Sequence, residues 1–223
     1  MANGNELVFI MGNRNPFPNK CEQCQLRKAL CICAMIPRLA LNTKVILLIH
    51  HRETHRTSNS GRLAHLILEN SEMRVRGLKG NPMEREGLVV PDRQSVLLFP
   101  SINAVELTPE ALKKFDKPLT LIVPDGNWRQ ASRVPNREPD LFSLPRFRIP
   151  IDKPTEYRLR SETRPEGMAT FEAIARALGV IEGPEVQAQM EAIFRIKVER
   201  TLWSRAKITL AECTGGIPKE AIC

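Results

Sequence analysis

An acid and an indole lie three residues apart directly after an apolar run: Pro124-Asp125-Gly126-Asn127-Trp128 follows Pro118 to Val123. That run reads as a short buried strand, which places Asp125 at its C-terminal end, where ligands bind in an α/β sheet. A carboxylate buried there is costly unless it has a partner or a task. Asp125 is therefore the first candidate for a reaction centre.

Four of the six cysteines fall within thirteen residues, as Cys21-x2-Cys24, six intervening residues, then Cys31-x-Cys33. Tight turns of this spacing bring four thiolates around a tetrahedral zinc ion. The metal keeps the sulfurs deprotonated, and Arg27 and Lys28 offset the negative site. A redox CxxC pair or unpaired core cysteines are the competing readings. With four sulfur ligands no coordination position stays open, so the expected metal is structural. Cys213 and Cys223 read as ordinary thiols.

Two polar stretches complete the inventory. His50-His51-Arg52-Glu53-Thr54-His55-Arg56-Thr57-Ser58-Asn59-Ser60-Gly61-Arg62 follows the first apolar strand. It reads either as a strand-to-helix loop meeting substrate, with Asn59 or Ser60 as helix cap and free N–H groups facing an anion, or as a solvated loop with a cap. A second metal there is disfavoured, because adjacent His50 and His51 point apart and no acidic or cysteine cluster joins them. Tyr157 to Ala173 carries hydroxyls and a glycine into a helix start, a place suited to a ligand carboxylate or ribose. No Gly-rich dinucleotide fingerprint and no phosphate-loop motif is present, which disfavours the corresponding nucleotide enzymes. The catalytic options contract to Asp125, the histidines, and Glu53 or Glu172.

The elements that must position these groups alternate. Strands are expected over Lys44 to Ile49, Ser95 to Phe99 and Pro118 to Val123, and near Phe147 to Ile151. Helices are expected over Asn59 to Asn70, Thr108 to Phe115, Thr170 to Leu178 with a stop at Gly179, and about Glu185 to Ile208. Thr108-Pro109-Glu110 supplies a cap, a proline at the first helical position and a first-turn acid. Such alternation predicts a mainly parallel α/β sheet. The last helix has an apolar face, while Arg195, Lys197, Arg200, Arg205 and Lys207 form either a solvated face or an RNA-binding one.

The chain has 223 residues, 42% hydrophobic, enough for one substantial core with a small appended module. We divide it into a zinc-binding module over 15–40 and a catalytic domain over 41–223. A formal charge of +8 and a pI near 9.4 favour a polyanionic partner, with nucleic acid foremost. Aromatic content of 5% argues for phosphate contacts over base stacking. No apolar run approaches the roughly 20 residues that span a bilayer, so a cytoplasmic protein without membrane attachment is expected.

Taken in order, these residues resemble the DTW-domain family of tRNA-uridine aminocarboxypropyltransferases. The resemblance rests on Cys21, Cys24, Cys31 and Cys33, on His50-x-x-Glu53 followed by Asn59-Ser60-Gly61-Arg62-Leu63, on Asp125-Gly126-Asn127-Trp128, and on Thr170-Phe171-Glu172-Ala173. Asn127 stands where the family signature has threonine. The resemblance implies a SPOUT-like fold with a knotted C-terminal half, and S-adenosylmethionine as co-substrate beside the structural zinc. It also implies transfer of the 3-amino-3-carboxypropyl group to N3 of a tRNA uridine, with release of 5′-methylthioadenosine. Asp125 would take the N3 proton and Trp128 would face the sulfonium. Pro100, Ser101, Asp125, Gly126, Ser161, Thr163, Thr170 and Glu172 are the candidates for holding the co-substrate. His50, Arg52, Arg56, Arg62 and Arg133 are the candidates for tRNA. An S-adenosylmethionine-dependent RNA methyltransferase and a non-catalytic zinc-containing RNA-binding protein are the alternatives. Oligomeric state is not legible, with a monomer the simplest expectation.

Overall fold

Two strands apolar along nearly their whole length form the centre of the sheet, β1 (Lys44–His50) and β5 (Leu119–Asp125). Successive side chains of a strand point to opposite faces, so such a run demands cover on both. Val45 and Leu47 of β1 join Leu121 and Val123 of β5 in one core, whereas Ile46, Leu48 and Ile122 enter a second on the other face. The computed structural model describes residues 19–151, 153–159 and 167–222.

Four shorter strands complete the sheet: β2 (Ser71–Arg76), β3 (Gln94–Leu98), β4 (Val105–Glu106) and β6 (Arg146–Arg148). Their order is β2-β1-β5-β3-β6-β4, and every pairing is parallel. The chain leaves β1 toward β2 on one side and leaves β5 for β6 on the other. The C-terminal ends of β1 and β5 thus border the crevice where connections diverge, which is where an open parallel sheet binds ligands.

Among the described residues five α-helices accompany the sheet: α1 (Gly61–Ile67), α2 (Pro109–Leu112), α3 (Trp128–Ala131), α4 (Thr170–Ile181) and α5 (Pro184–Trp203). The larger core collects α1, α4 and α5. Cys24, Leu26, Leu30 and Ile32 are buried in that same cluster, so the cysteine segment shares its core with the helices. The second face is covered by α3 and the turns carrying Val134 and Leu141.

Several boundaries differ from the sequence reading. Strands β2 and β4 were not expected. Charged Glu72, Arg74 and Arg76 hid β2, which as an edge strand needs apolar residues on one side only. Helix α1 is shorter than Asn59 to Asn70, because Leu68 turns extended and bridges to Leu39. Helix α4 runs through Gly179. A Cβ there would come within 2.2 Å of Gln187 Oε1, so this glycine permits close approach of α5 and stops nothing. Helix α5 ends at Trp203, short of Ile208.

Packing between α4 and α5 centres on aromatic rings: Phe171 and Phe194 stack with centroids 4.6 Å apart, and Tyr157 lies 6.0 Å beyond Phe194. Phe194 is 2% exposed. Phe194→Ala removes a fully enclosed ring and is expected to cost about 3–5 kcal/mol of stability in urea unfolding.

Candidate active site and cysteine cluster

Asp125 ends β5 and is 4% exposed, yet it lines a cavity of about 260 Å³. Its carboxylate is held by groups distant in sequence. Asn59 Nδ2 donates to Oδ2 at 2.5 Å, and Thr170 Oγ1 donates to Oδ1 at 2.6 Å. One donor belongs to the loop after β1, the other to the first residue of α4. These two donors, one on each carboxylate oxygen, fix the orientation of the group at the cavity wall.

Asn59 is fixed on three sides. Its Oδ1 accepts from Arg62 N at 2.9 Å, and its carbonyl accepts from Lys197 Nζ at 3.0 Å. Next to it, Ser60 Oγ accepts from Phe171 N at 3.2 Å, joining the loop to α4, and the Tyr157 hydroxyl donates to the Ser58 carbonyl. Gly61 allows the close approach: a Cβ there would sit 2.8 Å from Asp125 Oδ2 and 2.8 Å from Leu47 Cδ2.

The Asn127 position is a helix cap. Its Oδ1 accepts from Gln130 N at 2.9 Å, while its own N–H donates to Gln130 Oε1 at 2.8 Å, a complete capping box for α3. Asparagine caps at least as well as threonine, so the departure from the signature leaves this turn intact. A Cβ at Gly126 would lie 2.9 Å from Gln130 Oε1, which reserves that position for glycine. Trp128, half-buried, packs on Phe99 with centroids 5.3 Å apart and lines the Asp125 cavity.

The other candidate residues distribute unevenly. Asp125, Gly126, Trp128 and Thr170 line one cavity together with Glu53, Tyr157 and Met168. Pro100 and Ser101 line an adjoining cavity of about 340 Å³ that shares Met168. Glu172 lines neither. Its carboxylate accepts from Thr155 Oγ1, Glu156 N and Ala169 N, tying the segment before α4 to the helix start. In this structure its carboxylate fastens the start of α4. Ser161 and Thr163 lie outside the described residues.

Of the tRNA candidates, Arg62 is 9% exposed and donates to the Thr54 carbonyl, so it braces the loop from inside. Arg56 pairs with Glu53 at 3.5 Å. His50, Arg52 and Arg133 line a separate basic pocket. Burial, with His51, Arg76 and Arg52 beside it, holds the His50 imidazole below its usual range. Its Nδ1 accepts from Arg52 N at 3.2 Å.

All four sulfurs of Cys21, Cys24, Cys31 and Cys33 lie within 4.8 Å of one another, with Cys21 to Cys33 at 3.5 Å and Cys24 to Cys31 at 3.8 Å. A disulfide needs about 2.05 Å. Tetrahedral Zn–S bonds of about 2.3 Å set sulfurs roughly 3.8 Å apart, so the cluster has the size of a metal site. Burial first, then the neighbouring sulfurs, push the Cys24 and Cys33 thiols up, while at Cys21 burial is outweighed by hydrogen bonds that bring its thiol down to about 7. Arg200 of α5 donates to the carbonyls of Leu30 and Cys31 at 3.3 and 2.8 Å.

Sequence reasoning put Lys197 and Arg200 on an outward face. They are 2% and 6% exposed and point inward, between the cysteine cluster and the Asp125 loop. Burial lowers Lys197 to about 8, with Cys24, Asp125 and Cys33 opposing that shift, so its ammonium stays largely charged at neutral pH. The periodicity of a helix cannot distinguish a cation facing water from one facing buried carbonyls.

Residues 18–202 match the DTW domain. The chain belongs to the DTW-domain family. It is 28% identical over 189 residues to tRNA-uridine aminocarboxypropyltransferase 2 of Drosophila melanogaster, covering 82% of this chain and 74% of that one. It is 26% identical to tRNA-uridine aminocarboxypropyltransferase A of Arabidopsis thaliana, covering 78% of each. The mouse tRNA-uridine aminocarboxypropyltransferase 2 is 25% identical over 73% of this chain and 56% of its own length. No solved structure matches. Among the described residues, no helix of this DTW protein is long and apolar enough to cross a membrane.

Gly61→Ala must push Asp125 or Leu47 aside. A misplacement approaching 1 Å is worth about a hundredfold in rate, so turnover should fall by roughly ten- to a hundredfold while far-UV circular dichroism stays native. Lys197→Met leaves the Asn59 carbonyl buried without its donor and should cost about 1–3 kcal/mol in thermal or urea unfolding.

Proposed function

We propose that this DTW protein transfers the 3-amino-3-carboxypropyl group of S-adenosylmethionine to N3 of a tRNA uridine. The observation that carries the reading is Asp125, a buried carboxylate aimed into a cavity and oriented by two donors from separate elements. The names of its relatives supply the reaction class, and the basic charge of the chain fits an RNA substrate.

The site fits the co-substrate on its own features. The two cavities joined at Met168 together fall within the range of about 300–1,000 Å³ typical of small-molecule sites. Ser101 Oγ is buried in the second without a hydrogen-bond partner among the described residues, as a group awaiting a ligand atom would be. Pro100 and Ser101 would hold one end of the ligand, and Gly126, Trp128 and Thr170 the other. Bound there, S-adenosylmethionine supplies a sulfonium-activated carbon as electrophile.

Asp125 then acts as general base. Its carboxylate accepts the N3 proton as the nitrogen bonds to carbon, and the carbon–sulfur bond breaks with its electron pair left on sulfur. Asn59 and Thr170 keep the carboxylate from rotating away during this step, which is positioning and not proton transfer. The face of Trp128 favours a cation beside it. Cys21, Cys24, Cys31 and Cys33 hold a structural zinc whose binding energy contributes to folding, with no position open for chemistry.

The test is incubation with unmodified tRNA and labelled S-adenosylmethionine, followed by identification of nucleoside and sulfur by-product. Methylthioadenosine and an aminocarboxypropyl-uridine are expected. S-adenosylhomocysteine would instead identify a methyltransferase, and no product a binding protein. Asp125→Asn should lower kcat by about 10²–10⁴ with co-substrate affinity kept within about tenfold. Metal analysis should find about one zinc per chain, and Cys24→Ser should release it and lower the melting temperature.

A further inference from the structure

A third cavity, about 470 Å³, opens beside the Asp125 cavity and shares Asn127 with it. Its walls bring together His50 from the end of β1, Arg52 from the turn after it, Arg76 from the end of β2, and Arg129, Arg133 and Arg137 from α3 and the turns that follow. Arg52, Arg129, Arg133 and Arg137 are exposed, and none has an acidic partner within salt-bridge distance among the described residues. Arg76 forms the floor. It is 7% exposed, 3.6 Å from Glu138, and donates to the Gln130 carbonyl at 3.5 Å.

Five guanidinium groups around one concavity repel one another, and Glu138 is engaged by Arg76. Burial first, and then the positive charge at Arg137, hold the Arg76 guanidinium below its usual range against the pull of Glu138, while burial first, then His51, Arg76 and Arg52, hold His50 down. A fold keeps such an arrangement at a cost in stability, and an anion relieves it. Gly77, at φ +83°, keeps one wall open, since a Cβ there would lie 3.0 Å from His50 Nε2. The lining lacks any ring on which a base could stack apart from the two histidines, whose centroids lie 4.7 Å apart against each other. Planar forked donors suit a phosphodiester, and phosphate contacts set register without reading sequence.

We propose that this pocket seats an RNA backbone phosphate adjoining the uridine whose base enters the Asp125 cavity. The inference rests on the tRNA reading above and adds to it which residues grip the chain. Arg76, Arg129 and Arg137 join Arg52 and Arg133 as phosphate ligands. Arg56 and Arg62, turned onto Glu53 and the Thr54 carbonyl, do not take part. Held at one phosphate, the strand can present only the neighbouring base across the shared Asn127 turn, so the pocket contributes to which nucleotide is modified.

The test uses the full chain with unmodified tRNA over a salt series. In Arg129→Gln/Arg137→Gln, the KM for tRNA should rise about tenfold or more at physiological salt. The slope of log affinity against log salt should fall by roughly 0.7–0.9 per lost contact. Affinity for S-adenosylmethionine and kcat at saturating tRNA should stay near wild type. Arg52→Gln, on the opposite wall, should act in the same direction. Lys113→Gln/Lys114→Gln removes the same net charge elsewhere and should leave KM and slope unchanged. Equal slopes in the pocket variant and this control, or an unchanged KM in both pocket variants, would overturn the inference. So would loss of S-adenosylmethionine affinity with tRNA binding intact, since the pocket would then serve the co-substrate carboxylate. Should the wild type yield no modified nucleoside, the transferase reading fails by itself. Direct tRNA titration of the same variants still decides the phosphate site.

Discussion

A carboxylate buried at the end of a central strand imposes terms on everything around it. Asp125 cannot stay out of water without donors, and the fold supplies them from two places, Asn59 after β1 and Thr170 at the start of α4. Each donor must itself be held. Asn59 leans on Arg62 N and on the Lys197 ammonium, while the start of α4 is secured by Glu172 and by Ser60. Gly61 is the steric counterpart, since only a residue without a Cβ lets α1 begin against that acid.

Helix α5 serves as the second organiser. Three of its inner charged side chains bind other parts of the chain. Lys197 donates to the Asn59 carbonyl in the loop after β1, Glu199 accepts from the Thr214 hydroxyl and Gly215 N of the C-terminal segment, and Arg200 donates to the Leu30, Cys31 and Gly216 carbonyls. The cysteine cluster and the reactive cavity therefore rest on neighbouring turns of one helix. This explains why a metal-sized thiolate cluster sits in the same core as the site, with its segment packed among Leu26, Leu30 and Ile32. Loss of either end leaves buried polar groups of α5 without partners, which is among the costlier defects a core can carry.

Legibility in the sequence followed the range of the forces involved. The apolar runs of β1, β3 and β5 were readable because burial on both faces keeps their central residues almost wholly apolar. The Thr108 cap was readable because its bond to Ala111 spans three residues. Edge strand β2 was missed, since Glu72, Arg74 and Arg76 interrupt its apolar residues as charges do in a loop. Gly179 misled because glycine at a helix stop and glycine at a helix crossing look alike until the second helix is placed.

The sequence by itself determined which chemistry is available: a strand-end acid followed by an indole, four thiols at metal-binding spacing, and an excess of positive charge. It did so because residue type and short spacing are local properties. Only the tertiary structure decided which groups act together. It turned Lys197 and Arg200 inward, tied the Glu172 carboxylate to the segment before α4, made Asn127 a helix cap, and separated inward Arg62 from the guanidinium groups that face an open pocket. Those outcomes depend on contacts between residues as much as 170 positions apart, and nothing in a local pattern specifies which buried carbonyl, carboxylate or cavity a side chain will meet.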